Sequence, residues 1–178
     1  MKITIIQCSN SVNSNDCLST LTEKGFNDAD ALVSKIKKIN PALIYCSPFL
    51  RTLQTIYPYC FEYNKNINID YALLPVYKVD TKDKSTSFIN YYNDINDYFN
   101  YIVPIINQEY KSSVYSNNIK MNEEEINIKN RIHTFLNYIC KSYGNMDKNI
   151  AVVVDYDIIP FITNPFKNTK YTTEIISQ

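Results

Sequence analysis

The sequence has 178 residues, a formal net charge of zero and a pI of about 6.6, and a chain of this length is expected to form one domain with a buried core. Its charges are scattered. No basic stripe indicates a nucleic-acid partner, and no acidic tail indicates a basic partner. The apolar runs are too short to cross a membrane, and Met1–Ile6 is too short and too strand-like for a signal peptide. We therefore expect a cytoplasmic protein without a membrane partner.

The cysteine and glycine contents argue against a disulfide framework and against a glycine-lined phosphate loop. The five cysteines are odd in number and lack C-x-x-C spacing, so reduced thiols in a cytosol-like compartment are the simplest interpretation. The two glycines, Gly25 and Gly144, are too few for a glycine-lined phosphate loop. The abundant Tyr, Asn, Ile and Lys residues have AT-rich codons, which indicates an AT-rich microbe or a large DNA virus. A viral protein would act in the host cytoplasm or the virion.

The first part of the chain predicts a strand, a loop and a helix. Ile3–Ile6 is a β-branched run without strong alternation, as in a strand covered on both faces. A polar loop follows through Asp16. A helix is expected from Leu21–Gly25 to about Ile39, with Thr22 as its candidate N-cap. The predicted apolar stripe of this helix is Ala29, Leu32, Val33 and Ile36.

The second predicted strand and helix contain the most informative stretch of the chain. Ala42–Cys46 is a short apolar run, and it is followed by Ser47-Pro48-Phe49-Leu50-Arg51-Thr52-Leu53-Gln54-Thr55. Ser47 is a good N-cap, and Pro48 suits the first turn of a helix. Arg51 would then lie near the helix N-terminus, where an anion is favoured, although a solvated charge on an ordinary helix fits this stretch equally well. The expected buried face is Leu50, Leu53 and Ile56 or Tyr57.

The middle of the chain predicts a third strand and a tyrosine-rich insert. Ile67–Asp70 is a short strand candidate that continues through Ala72–Tyr77, and Asp80–Ser87 is polar and predicts a loop. Between Phe88 and Tyr110, apolar residues recur at helical spacing, which predicts a helix that packs through them and is kinked or split at Pro104. These residues are Phe88, Tyr92, Ile95, Phe99, Ile102 and Ile106.

The last part of the chain predicts a helix and two strands. Asn122–Glu125 is typical of a helix start, with acids in the first turn, and His133, the only histidine, is expected to be an ordinary residue of this helix. Ile150–Val154 is the most hydrophobic strand candidate, and Asp155-Tyr156-Asp157 and a short helix follow it. Tyr171–Ile176 predicts a final strand near a sheet edge. The expected core face of the helix is Ile126, Ile128, Ile132, Phe135, Leu136 and Ile139.

The order of these elements predicts the fold class. Alternating strands and helices favour an α/β fold, here a three-layer α/β/α sandwich with a mostly parallel central sheet. We expect a single domain over 1–178, with a helical Tyr/Asn-rich insert at about 80–118.

Three segments in this order resemble the histidine phosphatase (phosphoglycerate mutase-like) superfamily. They are Leu21–Gly25 with Ala29, Ser47–Thr55, and the Glu123–Ile139 helix that leads into the Val152 strand. The Ser-Pro-x-Leu-Arg-x-x-Gln-Thr run is the most specific of the three. The agreement covers most of the chain outside roughly 80–118, and it implies the phosphoglycerate mutase-like fold.

The resemblance also implies a chemistry. In that family the first strand ends in an Arg-His-Gly motif whose histidine accepts the phosphoryl group. A second arginine comes from the motif that matches Ser47–Thr55, and a second histidine, followed by glycine, ends a later strand. An acidic residue often donates the proton. The two guanidiniums and the second imidazole neutralise the phosphoryl oxygens while the acid protonates the leaving oxygen.

Most positions that carry this chemistry in the family differ in this sequence. Arg51 is retained, and Ser11 agrees with the family's Ser or Thr. The departures are Gln7 at the first arginine, Cys8 at the nucleophilic histidine, Ser9 at the glycine, Pro75 near the proton-donating glutamate, Tyr156 at the second histidine and Asp157 at the glycine after it. The resemblance therefore implies a degenerate phosphatase fold that lacks the parental activity.

The substitutions also change the expected charge of the pocket. Each lost charge-assisted contact to a phosphate is worth about 1.5–3 kcal/mol, and Asp155 and Asp157 add negative charge nearby. Arg51 is expected either to pair with one of these aspartates or to hold a residual anion. Cys8 is expected to be an unreactive structural residue, because no arginine or glycine follows it through Ser14. Tyr156 is expected to fill the vacated pocket, or otherwise to act as a weak acid or hydrogen-bond donor.

Three functions remain open at this point. The leading hypothesis is an inactive phosphatase homologue that acts by binding a phosphate-bearing ligand or a protein partner. The alternative is an altered phosphoesterase that uses Cys8 or water, with Arg51 as the phosphate clamp. The third hypothesis is a structural or assembly role in which the tyrosine-rich insert is a contact surface. We expect no cofactor and no metal, and the sequence leaves the oligomeric state open.

Overall fold

The computed structural model describes residues 1–14, 16–76, 100–115, 119, 123–163 and 171–177. Five strands form one parallel sheet in the order β3-β2-β4-β1-β5. The strands are β1 (Lys2–Gln7), β2 (Leu43–Cys46), β3 (Asn68–Ile69), β4 (Asn149–Val154) and β5 (Thr172–Ile176). The helices are α1 (Glu23–Ile39), α2 (Leu50–Glu62), α3 (Glu125–Tyr143) and α4 (Ile159–Thr163). The predicted parallel α/β fold is confirmed, and β5 lies at the sheet edge as expected.

The sheet separates two hydrophobic cores. Since successive side chains of a strand point to opposite faces, Cys46 of β2 packs with α1 and α2, while Tyr45 packs with α3. In β4, Val153 joins the first core and Val152 the second. Both faces of the sheet are therefore covered by helices, and this is why the strands lack polar alternation.

Helix α1 begins as the sequence predicts. The Thr22 hydroxyl accepts a hydrogen bond from the Gly25 amide at 3.0 Å, which satisfies one of the free donors of the first turn. A Cβ added to Gly25 would lie 2.2 Å from the Asn10 carbonyl oxygen. Glycine is therefore required for the close approach between α1 and the loop after β1. Of the predicted apolar stripe, Ala29, Leu32 and Ile36 are buried and Val33 is half-buried.

The predicted start of α2 is wrong. The helix begins at Leu50, after an extended Phe49 that makes no side-chain cap, and the buried Ser47 hydroxyl has no hydrogen-bond partner among the described residues. Pro48 accordingly precedes the first turn instead of lying in it. The physical reason is that the Leu50 amide donates to the carbonyl of Cys17 at 3.0 Å, so a distant loop takes the place of the local cap. Leu50, Leu53 and Ile56 are buried as predicted.

Two other predicted elements are corrected. The third strand ends at Ile69 because the Asp70 carboxylate accepts from the Ala72 amide at 2.9 Å and starts a 3₁₀ turn over Tyr71–Leu73. The predicted helix over Phe88–Tyr110 is absent from the part that is described, since Val103–Ile105 is a 3₁₀ turn and Ile106 pairs with Ile67 in a parallel bridge. Its earlier part, and the loop over Asp80–Ser87, lie outside the described residues. Pro104 lies within the 3₁₀ turn, and Ile102 and Ile106 are buried as expected.

Helix α3 covers the other face of the sheet. All its predicted core residues are buried except Ile126, which is 55% exposed in the first turn, so that assignment is wrong. The His133 ring is hydrogen-bonded to the Asn137 side chain one turn later, as expected of an ordinary helix residue. Within the described ranges, no helix is long and apolar enough to span a membrane.

Candidate functional site

The candidate site lies at the carboxyl ends of β1, β2 and β4. These strands are adjacent in the sheet, so the residues that follow them converge: the Cys8 amide donates to the Val154 carbonyl at 2.9 Å, and the Ser47 amide to the Val153 carbonyl at 3.0 Å. Asp155 follows β4 directly. In open α/β sheets, the crevice outside the carboxyl ends of the strands is the usual ligand site.

A buried ion pair occupies this position. Arg51 Nε lies 2.6 Å from Asp155 Oδ1, and the side chains are only 3% and 8% exposed. Arg51 Nη1 also donates to the Asp16 carbonyl at 3.1 Å, and the guanidinium lies 4.7 Å from the centre of the Phe49 ring. Burial opposes the charge of Arg51, but the charge and hydrogen bond of Asp155, with smaller contributions from Cys8 and Asp157, raise the pKa of Arg51 on balance. Of the alternatives that the sequence left open for Arg51, the structure contains the pair with Asp155.

Cys8 contacts the same carboxylate oxygen. Its Sγ donates to Asp155 Oδ1 at 3.1 Å. Burial raises the pKa of the Cys8 thiol well above its ordinary value, and the negative charge of Asp155 raises it further, against the opposing effect of Arg51. Because the thiolate is the nucleophilic form, a raised thiol pKa disfavours nucleophilic attack by Cys8, and the unreactive, structural role of this cysteine stays a prediction.

Asp157 links the end of β4 to the segment that contains Pro75. Its Oδ2 accepts from the Val76 amide at 2.8 Å. Burial raises the pKa of Asp157, and the nearby Asp155 adds to this effect. Asp155 Oδ2 and Asp157 Oδ1 are buried and have no hydrogen-bond partner among the described residues. The strand end therefore carries two carboxyl groups and one guanidinium.

A second buried ion pair, which the sequence analysis missed, holds the Pro75 segment from the other side. Arg131 Nε donates to Glu123 at 2.9 Å, and its two terminal nitrogens donate to the carbonyls of Ala72 and Pro75, the latter at 3.5 Å. Burial lowers the pKa of Arg131, although Glu123 opposes the shift. Arg131 lies three residues after the core residue Ile128, and a charge on the buried stripe of a predicted helix is the signal that could have revealed it.

The remaining predicted site residues are not joined to Arg51 by any hydrogen bond or ion pair described. Gln7 is the half-buried last residue of β1, and Ser11 forms an isolated antiparallel bridge with Leu21. Tyr156 is 71% exposed, so the expectation that it fills the pocket is wrong: the residue after Asp155 turns outward as β4 ends. Pro75 is buried and has no titratable proton.

The last two residues of the Ser47–Thr55 motif organise the loop after β1. Gln54 Oε1 accepts from the Leu21 amide at 2.9 Å, and Thr55 Oγ1 accepts from the Ser9 amide at 2.9 Å. These bonds hold the loop that supplies the Asp16 carbonyl to Arg51. Within the described ranges, no group of three His, Cys, Asp or Glu residues is placed to hold a metal ion.

One protein-family model matches part of the chain. The sequence profile of the histidine phosphatase superfamily (branch 1) matches residues 14–76. No curated protein sequence matches the chain.

Several solved structures share the fold. A mycobacterial glucosyl-3-phosphoglycerate phosphatase matches with a TM-score of 0.60 at 14% identity, over 89% of this chain and 75% of that one. An ecdysone phosphate phosphatase from Bombyx mori, in complex with tungstate, matches with a TM-score of 0.56 at 11% identity, over 90% and 64%. A mutant phosphoserine phosphatase from Entamoeba histolytica, in complex with phosphoserine, matches with a TM-score of 0.52 at 19% identity, over 89% and 77%. At these identities the likeness establishes the fold.

Proposed function

We propose that the chain is a non-catalytic member of the histidine phosphatase superfamily, whose family model matches residues 14–76, and that this pseudophosphatase acts by binding another molecule. The observation that carries this proposal is the buried ion pair between Arg51 and Asp155. The family's corresponding arginine neutralises a phosphoryl group. Here a carboxylate of the chain itself lies 2.6 Å from Arg51 Nε.

The ion pair disfavours an external phosphate on energetic grounds. A phosphate that took over Arg51 would have to displace Asp155 and leave that carboxylate buried without its partner. Breaking a buried pair in this way costs about 3–5 kcal/mol, which corresponds to a loss of affinity on the order of 10²–10³-fold or more. The cost arises before any repulsion between the phosphate and the Asp157 carboxylate is counted.

The groups needed for phosphoryl transfer are also lacking at the matching positions. Burial and the charge of Asp155 raise the pKa of the Cys8 thiol, which disfavours the nucleophilic thiolate. Pro75 has no proton to donate, and Tyr156 is largely exposed to solvent. An altered phosphoesterase that uses Cys8 or water is the second candidate, and the retained Arg51 is the one feature that favours it. A structural role of the tyrosine-rich insert stays a prediction, because most of the insert lies outside the described residues.

Turnover and anion binding together test the proposal. We expect the wild type to hydrolyse p-nitrophenyl phosphate and a panel of phosphomonoesters no faster than Arg51→Ala. We also expect millimolar phosphate or vanadate to leave its thermal unfolding unchanged, because a ligand that binds the native state would raise stability by mass action. All proteins are assayed well below their own melting temperatures, with circular dichroism as a check of folding. Turnover that Arg51→Ala abolishes would overturn the proposal, and its parallel loss in Cys8→Ala would identify the cysteine enzyme instead.

A further inference from the structure

A second apolar stripe runs along the outer side of α1 and α2, away from the sheet. Helix α2 buries Leu53 and Ile56 in the core. At the edge of that core it carries the half-buried Tyr57 and, four residues later, the exposed Phe61. Phe61 is 70% exposed, and Phe26 of α1 is 42% exposed. Single exposed apolar residues are ordinary, whereas exposed aromatic residues that adjoin one another on two neighbouring helices are a candidate surface for contact with a partner.

The half-buried Tyr57 connects the exposed aromatic residues Phe61 and Tyr101. The Tyr57 ring stacks on Phe61 at a centroid distance of 5.6 Å, and it meets Tyr101 edge-on at 5.2 Å. Together they line a groove of about 650 Å³ between the two helices. We call this the α1–α2 groove; its main lining residues are Phe26, Asp30, Tyr57, Phe61, Glu62 and Tyr101.

The charged side chains that line the groove are both acidic, while the Gln54 amide in the same lining donates to the Tyr101 hydroxyl at 3.0 Å. Asp30 and Glu62 are exposed, and no lysine or arginine lines the groove among the described residues. Neither carboxylate forms a salt bridge with a described residue, although Lys37 lies near enough to Glu62 to interact with its charge. Pro58 also lines the groove and has no amide hydrogen, so the Gln54 carbonyl lacks the donor that a helix ordinarily supplies.

Resting on the proposed non-catalytic function, we propose that the α1–α2 groove is the interaction site and that it binds a basic amphipathic helix of a partner protein. The shape and the chemistry both favour this occupant. A cleft between two helices accommodates the apolar face of a third, whose anchors recur at i, i+3 or i+4, and i+7. The aromatic floor supplies the rigid rings on which interface energies often depend. The two carboxylates favour lysine or arginine beside the apolar anchors, since complementary charge selects the partner and speeds encounter.

Binding of defined synthetic peptides tests this site with the full-length protein. The probe is a fluorescein-labelled amphipathic peptide of about 15 residues with leucine and phenylalanine anchors flanked by lysines, compared with the same peptide carrying glutamates in place of the lysines. Fluorescence polarisation is expected to show saturable binding of the basic peptide and little of the acidic one. Phe61→Ala should weaken binding roughly 10-fold or more, whereas Ile126→Ala, an exposed apolar residue on α3, should leave it unchanged.

A charge exchange gives the sharper control. The double variant Asp30→Lys with Glu62→Lys should no longer bind the basic peptide and should bind the acidic one. An unfolded variant would not gain binding of the acidic peptide. Absence of binding up to millimolar peptide, or binding that Phe61→Ala leaves intact, would overturn the inference. So would a concentration-dependent dimer in sedimentation that Phe61→Ala dissociates, because the occupant would then be a second copy of the chain. Turnover or anion binding at Arg51 bears on the proposed function alone, so the two can fail separately.

Discussion

Removal of one charge, Asp155→Asn, should reveal the anion site that the ion pair closes. The substitution keeps the shape of the side chain and an oxygen that can accept from Arg51 Nε. It removes the negative charge beside a guanidinium that is only 3% exposed. Loss of one partner of a buried pair costs about 3–5 kcal/mol. For a domain of this size, each kcal/mol corresponds to about 2–4 °C in Tm, so we expect Tm to fall by roughly 6–20 °C.

An added anion should restore part of that loss. Phosphate or vanadate can replace the missing charge beside Arg51, and a ligand present at about 100 times its Kd stabilises the native state by about 2.7 kcal/mol. We therefore expect millimolar phosphate to raise the Tm of Asp155→Asn but not that of the wild type. The double variant Arg51→Gln with Asp155→Asn should show no response to phosphate. Its stability loss should also be smaller than the sum of the two single losses, because the two residues share one interaction.

An exposed ion pair provides the matched control. Lys2 and Glu174 form a salt bridge between β1 and β5 in which both side chains are more than 40% exposed, and exposed pairs contribute about 0–1 kcal/mol. Glu174→Gln should therefore change Tm by only a few degrees and should not create a response to phosphate. If Asp155→Asn were as mild as Glu174→Gln, or if phosphate stabilised the wild type equally, the reasoning on the closed pocket would be refuted.

Three further predictions follow from single residues. Burial raises the pKa of Asp157, so the folded state holds this proton more tightly than the unfolded chain. The ionised carboxylate therefore destabilises the fold above the ordinary carboxyl range near pH ~4. In urea titrations, Asp157→Asn should be more stable than the wild type at pH 7, and this difference should vanish near pH ~4. Gly25→Ala should destabilise by about 1–3 kcal/mol in the same titrations, because its Cβ would collide with the Asn10 carbonyl. The Cys8 thiol should resist iodoacetamide in the native protein, as mass spectrometry of the labelled peptides would show, and rapid labelling at neutral pH would contradict the protonated thiol.

The elements that the sequence predicted well are those whose hydrophobic period determines them. The apolar runs of β1 and β4 are continuous because both faces of the sheet are covered, and the α1 stripe recurs at the helical period. Thr22 caps α1 within its own turn, so its role could be seen locally. The start of α2 could not be predicted locally, because the Leu50 amide donates to the Cys17 carbonyl, which lies far away in sequence.

The sequence predicted which residues lie at the site, but it did not predict which of them pairs with Arg51. The resemblance brought Arg51 and the acidic end of β4 to one place, yet it could not decide whether Asp155, Asp157 or an anion would meet the guanidinium. That choice depends on the side-chain directions where β4 ends: Asp155 turns toward Arg51, Tyr156 turns to solvent, and Asp157 reaches the Val76 amide. A residue pattern fixes such directions inside a strand, where the period is two, but not in the turn that follows it.

The contacts of Arg51 give it a structural role that does not require a substrate. A carboxylate tethered at the end of β4 is present at the guanidinium at all times, whereas a free phosphate must bind from solution and displace it. The same guanidinium donates to the Asp16 carbonyl, and the neighbouring Gln54 and Thr55 hold the loop after β1. The Ser47–Thr55 motif is therefore part of the architecture that joins β1, α2 and β4, and it can serve the fold whether or not a phosphate binds. A single aspartate after β4 is enough, on this proposal, to convert an anion site into a structural ion pair.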